Sequence, residues 1–322
     1  MPTSASAQIS TTVRSVPMTF RVARLGFGLL QSPAPEMAAQ LAEHLFLTPK
    51  RVRRPDWERE LLAGADELRV RWGRHRIRAW SWGSGGPTVL LVHGWEGRGS
   101  QLGAFVKPLV AAGYRVVCFD APGHGEARRA RMSIPEIADI IRLVARKVGG
   151  VYAIVAHSMG GACTALAATY AARAGEQLAE RYVMVAPPSN PETYTEKFAS
   201  FLAIERPILD RMRANMEHRL RFSFGDVDGP AIVTSRTEPA LFVHDTGDRE
   251  IDHAEGKSLA DAWPGARFMS TSGLGHRRIL RSPEVIEEAV GFIEAGRARP
   301  QPEGGIGLVS ALERELYCPD ER

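Results

Sequence analysis

The stretch Val155, Ala156, His157, Ser158, Met159, Gly160, Gly161 places a serine between a β-branched run and a pair of glycines. The residues before it, 151–155, have the apolar character of a buried strand, and residues 162–172 are rich in alanine, as in a helix. Ser158 is therefore predicted on the turn between a strand and a helix. Such a turn holds a serine in a strained backbone conformation, with its hydroxyl projecting from the sheet edge.

This turn requires small residues two positions before and after the serine, because the strand and the helix approach closely there. Gly160 meets the requirement, and Ala156 adds one methyl group where the GxSxG pattern has its first glycine. The helix also offers free N–H groups and the positive end of its dipole at the serine. A turn that only caps a helix would use similar residues, so the motif alone leaves both interpretations open.

Four other segments place turn residues after a predicted strand. They are residues 88–92 with His93, Gly94 and Trp95; residues 116–119 with Asp120, Ala121, Pro122, Gly123, His124 and Gly125; residues 241–243 with His244, Asp245, Thr246, Gly247 and Asp248; and residues 267–270 with Gly273, Leu274, Gly275 and His276. With these segments in this order, the chain resembles the α/β-hydrolase fold family over residues 66–295. The resemblance implies a mostly parallel eight-stranded sheet with helices on both faces and a helical cap insertion.

A serine hydroxyl is a poor nucleophile, and it needs a base within hydrogen-bond reach and a third group that orients the base. His276 is the candidate base, because it lies in a glycine-rich loop after the last predicted strand. An imidazole, with an ordinary pKa of about 6.5, can accept the serine proton and return it to the leaving group. The chain order Ser158, Asp248, His276 is the order that the resembled fold implies.

The candidates for the orienting acid all follow the strand predicted at residues 241–243. They are Asp245, Asp248, Glu250 and Asp252. The resemblance favours Asp248, because the family's acid follows the histidine at the strand end by four positions, as Asp248 follows His244. Asp245 is the second candidate. The acid would accept a hydrogen bond from Nδ1 of His276 and stabilise the imidazolium.

The resemblance also implies an oxyanion hole made of the backbone N–H groups of Trp95 and Met159. The indole of Trp95 is a candidate for the wall of the acyl pocket, or a core or rim tryptophan. Asp120 and His124 are interpreted as residues that hold a turn together. His157, next to the nucleophile, is expected to point away from the site.

The composition limits the classes of partner and cofactor. With 322 residues, 44% of them hydrophobic, the chain can bury a large core as one main domain with an insertion. The net charge of +4 is modest and the arginines are spread along the sequence, so no nucleic-acid partner is expected. The three cysteines, Cys118, Cys163 and Cys318, show no metal spacing or disulfide framework. No phosphate loop or dinucleotide fingerprint has its required context, so no cofactor or metal is expected.

Two features of the sequence bear on its compartment. The N-terminus lacks the pattern of a secretory signal, and no apolar run reaches about 18 residues. The sequence therefore predicts a cytoplasmic protein without an integral membrane span.

The changes of pattern along the chain predict four parts. They are an N-terminal helical extension at 1–65, the α/β-hydrolase core at 66–186 and 237–295, the cap insertion at 187–236, and a C-terminal tail at 296–322. Residues 20–30 and 36–46 have helical spacing and are expected to pack on the main domain, with contact to a membrane or cover of the active-site mouth as alternatives. In the cap, Phe198 and Phe201 are candidates for the pocket wall, although most apolar cap residues are expected to pack within the cap.

Together these features predict a serine hydrolase that cleaves a carboxylic ester of a small-molecule acyl substrate through an acyl-enzyme intermediate. A thioesterase, an acyltransferase or a carbon–carbon bond hydrolase would use the same triad, because specificity resides in the cap. A binding scaffold that kept the fold without turnover is an alternative of a different class. The sequence does not predict the oligomeric state.

Overall fold

A computed structural model describes residues 18–297 of the chain. The strands are β1 (Asp66–Trp72), β2 (His75–Trp82), β3 (Thr88–Val92), β4 (Arg115–Asp120), β5 (Ala153–His157), β6 (Arg181–Val185), β7 (Ala240–Asp245) and β8 (Arg267–Thr271). The α-helices are α1 (Met18–Leu30), α2 (Pro35–Phe46), α3 (Asp56–Ala63), α4 (Val106–Ala111), α5 (Ile134–Lys147), α6 (Met159–Arg173), α7 (Pro191–Leu202), α8 (Arg206–Leu220), α9 (Gly229–Val233), α10 (His253–Ala262), α11 (Gly275–Arg278) and α12 (Pro283–Glu294). Short 3-10 helices span Gly99–Phe105, Phe224–Val227 and Ile279–Arg281.

The strands form one eight-stranded sheet in the order β1-β2-β4-β3-β5-β6-β7-β8. β2 pairs antiparallel with both β1 and β4, and the other neighbours are parallel. The parallel strands bring their carboxyl ends to one edge of the sheet, which is where ligands bind in α/β folds. The predicted fold class, a mostly parallel sheet covered by helices, is confirmed.

The side chains of adjacent residues in each central strand point to opposite faces of the sheet, as the two-residue period of a strand requires. Leu90 and Ile154 belong to a core cluster under α5, α6 and α10. Leu91 and Val155 belong to a second cluster under α4 and α12. Every residue of β3 and β5 is buried, because helices cover both faces.

The predicted elements differ from the structure mainly at glycines. The apolar spacing of residues 101–112 predicts one helix, and the structure divides this segment into a 3-10 helix and α4, because Gly99 and Gly103 weaken an α-helix. The strand expected at residues 151–155 starts at Ala153, after Gly149 and Gly150 with positive φ angles of 88° and 98°. The sequence patterns did not predict α3.

The N-terminal helices α1 and α2 pack on α7 and α8 rather than on the sheet. Phe27 of α1 and Ala38 of α2 share a third apolar cluster with Leu209 and Met212 of α8. In contrast, Ile232 and Val233 of α9 belong to the main core under α6. The limits of the predicted extension and cap stay predictions, and residues 1–17 and 298–322 lie outside the described residues.

A buried network of charges attaches the segment around α3 to the core. Arg98 donates two hydrogen bonds of 2.5 Å to Glu58, and Ser100 donates one of 2.6 Å to the same carboxylate. Arg54 donates to Ser100 at 2.9 Å and to Asp120 at 2.7 Å. All five side chains are buried, so each charge relies on an opposite charge for its solvation.

No helix in the described range 18–297 is both long enough and apolar enough to cross a lipid bilayer.

Candidate active site

Ser158 lies on the turn between β5 and α6, as the sequence predicts. Its φ and ψ angles are 55° and −133°, a region that non-glycine residues rarely adopt. The hydrogen bond from its N–H to the carbonyl of Val185 at the end of β6 holds this conformation. The strained turn places the serine side chain at the carboxyl edge of the sheet, at the first turn of α6.

Small residues around Ser158 are required by close backbone packing. A Cβ atom added to Gly160 would lie 2.9 Å from the carbonyl oxygen of Val92, and one added to Gly94 would lie 2.7 Å from Cβ of Ser158. Real Cβ atoms essentially never approach other heavy atoms so closely. The loop after β3 and the first turn of α6 therefore meet at the serine.

His276 and Asp248 are brought together at the same edge of the sheet. Nδ1 of His276 lies 2.7 Å from Oδ2 of Asp248, and both side chains are buried. The positive φ angles of Gly273 and Gly275, 76° and 65°, turn the chain from β8 into α11, which carries the imidazole.

The Asp248 carboxylate is held by four donors. Oδ1 accepts hydrogen bonds from the N–H groups of Glu250 at 2.8 Å and Ile251 at 3.0 Å. Oδ2 faces His276 and also Nε2 of His244, at 3.4 Å. Burial by itself raises the pKa of Asp248, but the hydrogen bonds from His244, His276 and Ile251 lower that pKa well below its usual range. The carboxylate is thus ionised at neutral pH.

Asp245, the second candidate acid, is used differently. Its carboxylate accepts hydrogen bonds from the N–H of Gly247 at 2.9 Å, the hydroxyl of Thr271 at 2.8 Å and the N–H of Leu274 at 3.0 Å. Burial raises the pKa of Asp245, but these backbone and hydroxyl donors bring it below its ordinary value. Asp245 joins the loop after β7 to the loop that carries His276.

His244 makes a contact that the sequence did not indicate, although the spacing from His244 was used to choose Asp248 as the acid. The side chain is fully buried, and Nε2 lies 3.2 Å from the carbonyl oxygen of Ile251 as well as beside Asp248. Nδ1 has no hydrogen-bond partner among the described residues. These contacts favour a proton on Nε2, because only that atom has acceptors.

His157 also differs from expectation, since it does not point away from the site. Its ring lies against that of His276, with centroids 4.7 Å apart, and Nε2 donates to the carbonyl oxygen of His276 at 2.9 Å. Burial lowers the pKa of His157 to about 3, so the ring is neutral. His157 supports the backbone of His276 from the residue next to the serine.

The serine and the imidazole are not hydrogen-bonded to each other. No hydrogen bond of the Ser158 hydroxyl occurs within the described part of the chain. The rings of His157 and His276 are nevertheless in contact, so His276 lies over the end of β5 that carries Ser158. Catalytic hydrogen bonds are often loose in the absence of substrate and tighten when it binds.

The predicted oxyanion donors belong to the two segments that meet at the serine. Met159 is the first residue of α6, and Trp95 follows Gly94 in the loop that meets Ser158. Within residues 18–297, neither N–H group makes a hydrogen bond to the backbone outside its own helix or strand. Both are therefore available to an anionic oxygen at this position.

The loop that carries Trp95 is fixed by buried imidazoles. Nε2 of His93 accepts a hydrogen bond from the N–H of Ala121 at 3.1 Å, which links the ends of β3 and β4. The ring of Trp95 stands edge-on to His124, with centroids 5.0 Å apart. Burial lowers the pKa of His124 to about 3. Oδ1 of Asp120 accepts a hydrogen bond from the N–H of Gly99 at 2.9 Å, and Nδ1 of His124 lies 3.1 Å from the carbonyl oxygen of Pro122, so both side chains contact loop backbone.

Of the two phenylalanines considered for the acyl pocket, one packs against α2 and the other is exposed. The ring of Phe198 packs edge-on against Phe46 of α2, with centroids 5.2 Å apart, and Phe201 is exposed. Phe198 therefore contributes to the packing of α7 on α2. Closer to the site, the Tyr194 hydroxyl of α7 donates to Glu255 of α10 at 3.0 Å.

Among the described residues, no group of three or more His, Cys, Asp or Glu side chains is arranged to hold a metal ion. Cys118 and Cys163 are buried free thiols, and burial raises the pKa of each.

The sequence comparison agrees with this geometry. Residues 89–289 match the profile of the Alpha/beta hydrolase family. The chain belongs to this family. The matched range runs from β3 to α12 and includes all of the residues described at the site of this α/β hydrolase.

Solved structures of low sequence identity share the fold of this α/β hydrolase. The esterase Pf2001 of Pyrococcus furiosus superposes with a TM-score of 0.56 at 16% identity, over 77% of this chain and 98% of that chain. Est816, described as an N-acyl homoserine lactone degrading enzyme, superposes with a TM-score of 0.53 at 22% identity, over 70% of this chain and 100% of that chain. At these identities the likeness shows the fold alone.

Curated relatives of this α/β hydrolase match over a shorter stretch. A serine hydrolase-like protein of Danio rerio is 35% identical over 104 residues, which are 30% of this chain and 31% of that protein. An acetyltransferase component of an acetoin cleaving system of Cupriavidus necator is 36% identical over 107 residues, 32% of this chain and 26% of that protein. The match thus spans less than a third of either relative.

Proposed function

We propose that this α/β hydrolase is a serine hydrolase that cleaves carboxylic esters, with Ser158 as nucleophile, His276 as base and acid, and Asp248 as the acid that orients His276. The observation that carries the proposal is the 2.7 Å contact between His276 and Asp248 beside the strained turn of Ser158. A base that is oriented by a buried carboxylate and lies near a serine is the arrangement that activates a hydroxyl.

In the first half of the reaction, Oγ of Ser158 attacks the ester carbonyl carbon while Nε2 of His276 takes the hydroxyl proton. The Asp248 carboxylate stabilises the imidazolium without being protonated. The tetrahedral intermediate then collapses, the bond to the alcohol oxygen breaks, and His276 gives its proton to the departing alcohol. The acyl group remains as an ester on Ser158.

In the second half, water takes the place of the alcohol. His276 removes a proton from the water, the hydroxide attacks the acyl carbon, and the acid leaves as the proton returns to Ser158. In both halves the N–H groups of Trp95 and Met159 would bind the oxyanion. Loss of one such donor typically costs about 3 kcal/mol of barrier.

The test is covalent labelling and turnover of the full chain. A fluorophosphonate should modify wild type on Ser158, and Ser158→Ala should lose both labelling and ester hydrolysis, the latter by a factor on the order of 10⁶ in kcat. Ser84→Ala is the matched control. Ser84 is an exposed serine in the turn before β3, whereas the loop after β3 is the one that meets Ser158. Hydrolysis retained by Ser158→Ala would overturn the nucleophile assignment.

The same preparation separates the substrate classes. Aryl esters of increasing acyl length and the matching acyl thioesters should be assayed in parallel, with and without a competing alcohol. Faster turnover of esters, with release of free acid, is the expected result. A preference for thioesters or transfer to the alcohol would replace the ester hydrolase with a thioesterase or an acyltransferase on the same triad, and unlabelled Ser158 would indicate a binding scaffold.

A further inference from the structure

Exposed apolar side chains are concentrated on the two N-terminal helices. Eight large apolar side chains are exposed among the described residues, and only Val52 and Phe201 of these lie outside α1 and α2. The other six are Val22, Leu25, Leu29, Met37, Leu41 and Leu45, and they are named the α1–α2 apolar face. Single exposed apolar residues are ordinary, but six of them on two helices that contact each other indicate a binding surface.

The α1–α2 apolar face is separate from the faces that hold these helices on the protein. Phe27 of α1 and Ala42 of α2 are buried against α7 and α8, whereas Leu25 and Leu29 are 69% and 79% exposed. On each helix the exposed residues repeat at three- or four-residue spacing and so form one stripe. Both helices contact α7 or α8 through other residues and contact each other, so each stripe is left uncovered on a neighbouring helix.

The charges on α1 indicate the kind of partner. Arg21 and Arg24 are exposed, and neither forms an ion pair with another described residue. On a helical wheel Arg21 lies beside Leu25, and Arg24 lies between Leu25 and the buried Phe27. α1 contains no acidic residue. The acidic residues of α2 have partners, since Glu36 pairs with Arg211 and Glu43 pairs with Arg219.

We propose that the α1–α2 apolar face binds the surface of an anionic lipid membrane. Leucine and valine side chains would enter the boundary between headgroups and acyl chains, while Arg21 and Arg24 contact lipid phosphates at its edge. One side of α1 is anchored to the protein, another side is apolar, and basic residues lie between them. Such a helix can lie parallel to the membrane surface at this boundary. The surface binds peripherally, and the inference is independent of the chemistry at Ser158.

Vesicle sedimentation with the full chain tests the proposal. Wild type should co-sediment with vesicles that contain phosphatidylglycerol and much less with vesicles of phosphatidylcholine alone. Leu25→Glu with Leu29→Glu should weaken binding by at least about tenfold, because two apolar side chains no longer enter the lipid. Arg21→Gln with Arg24→Gln should reduce the preference for anionic vesicles by about tenfold.

Val52→Glu is the matched control, because Val52 is an exposed apolar residue outside the two helices. It should bind as wild type does, and thermal unfolding should be unchanged in all variants, since every substituted side chain is exposed. Absence of vesicle binding by wild type, or binding that Leu25→Glu with Leu29→Glu leaves intact, would overturn the proposal. A concentration-dependent dimer that the same double variant abolishes, without vesicle binding, would assign the face to a second copy of the chain instead.

Discussion

At the residue scale, the Asp248 carboxylate is constrained on both of its oxygens. Two backbone N–H groups hold Oδ1, and two imidazoles face Oδ2. A carboxylate held in this way cannot rotate away from His276 without losing several charge-assisted hydrogen bonds. The orientation of the candidate base therefore depends on His244 as well as on Asp248.

His244 is expected to act as a positioning residue for Asp248. His244→Phe keeps an aromatic ring but removes the Nε2 donor, and we expect kcat for an aryl ester to fall about tenfold with little change in KM, since a hydrogen bond to a charged group contributes about 1.5 kcal/mol. His244→Gln can place an amide N–H near the position of Nε2 and should restore part of the activity. Equal losses in both variants would indicate a packing role only.

The low pKa of Asp248 predicts how stability changes with pH. An aspartate in the unfolded chain binds a proton near its ordinary pKa of about 3.9, while folded Asp248 stays ionised to lower pH. The stabilisation from Asp248 is therefore fully present above that value and is lost as pH falls towards the folded pKa. Urea unfolding at a series of pH values should show the difference between wild type and Asp248→Asn shrinking below about pH 4. A difference that does not change with pH would contradict the low pKa.

At the element scale, α3 is attached to the core by buried charges as well as by the apolar contacts of Leu61 and Leu62. Glu58 on this helix is completely buried and accepts hydrogen bonds from Arg98 and Ser100. Arg98 and Ser100 follow directly after the loop that carries Trp95. The position of this helix is thus coupled to the loop that supplies one candidate oxyanion donor.

Two substitutions on α3 compare a buried and an exposed acidic residue. Glu58→Gln leaves the buried Arg98 without its counter-charge, and we expect the free energy of unfolding to fall by about 3–5 kcal/mol. Asp56→Asn breaks the exposed pair with Arg59 and should cost about 1 kcal/mol or less. Urea denaturation measures both. Similar costs for the two variants would show that the buried network contributes no more than the exposed pair.

At the scale of the whole molecule, the chain contains an apolar cluster apart from the two that cover the sheet. This cluster joins α1 and α2 to α7 and α8. Gln31, between α1 and α2, also donates to the carbonyl of Ala203 at 3.2 Å and accepts from the N–H of Glu205 at 2.6 Å, in the turn between α7 and α8. The helices α1 and α2 and the helices α7 and α8 therefore stabilise each other.

Phe27 tests this mutual support. Phe27→Ala should cost about 3–5 kcal/mol locally, because the ring is buried in the cluster that joins α1 to α7 and α8. Hydrogen exchange should accelerate in α1, α2, α7 and α8, while β3 and β5 keep their protection. Leu29→Ala, two residues away on the exposed side of α1, should change stability by no more than about 0.5 kcal/mol. Faster exchange throughout the sheet would contradict a separate cluster.

The sequence by itself determined where the strands of the core lie along the chain and which turn carries Ser158. Segments with β-branched runs alternate with segments of helical spacing, and each pattern depends only on which nearby residues are buried. A serine between a strand and a pair of glycines can adopt few backbone conformations, so the turn is recognisable from the local sequence. The observed boundaries of the strands and helices differ from the predicted ones next to glycines, as before Ala153 and around Gly99. The family resemblance drawn from these motifs is confirmed, while the catalytic roles stay predictions.

Only the tertiary structure decided which side chains meet. Asp245 and Asp248 are three residues apart in one loop, and the loop dihedral angles direct Asp248 to His276 and Asp245 to Thr271 and Leu274. The contact of His157 with the His276 carbonyl joins residues 119 positions apart. Hydrophobic periodicity describes which face of an element is buried, but not the element against which that face packs. For the same reason the sequence did not show that α1 and α2 cover α7 and α8 and expose a second apolar face.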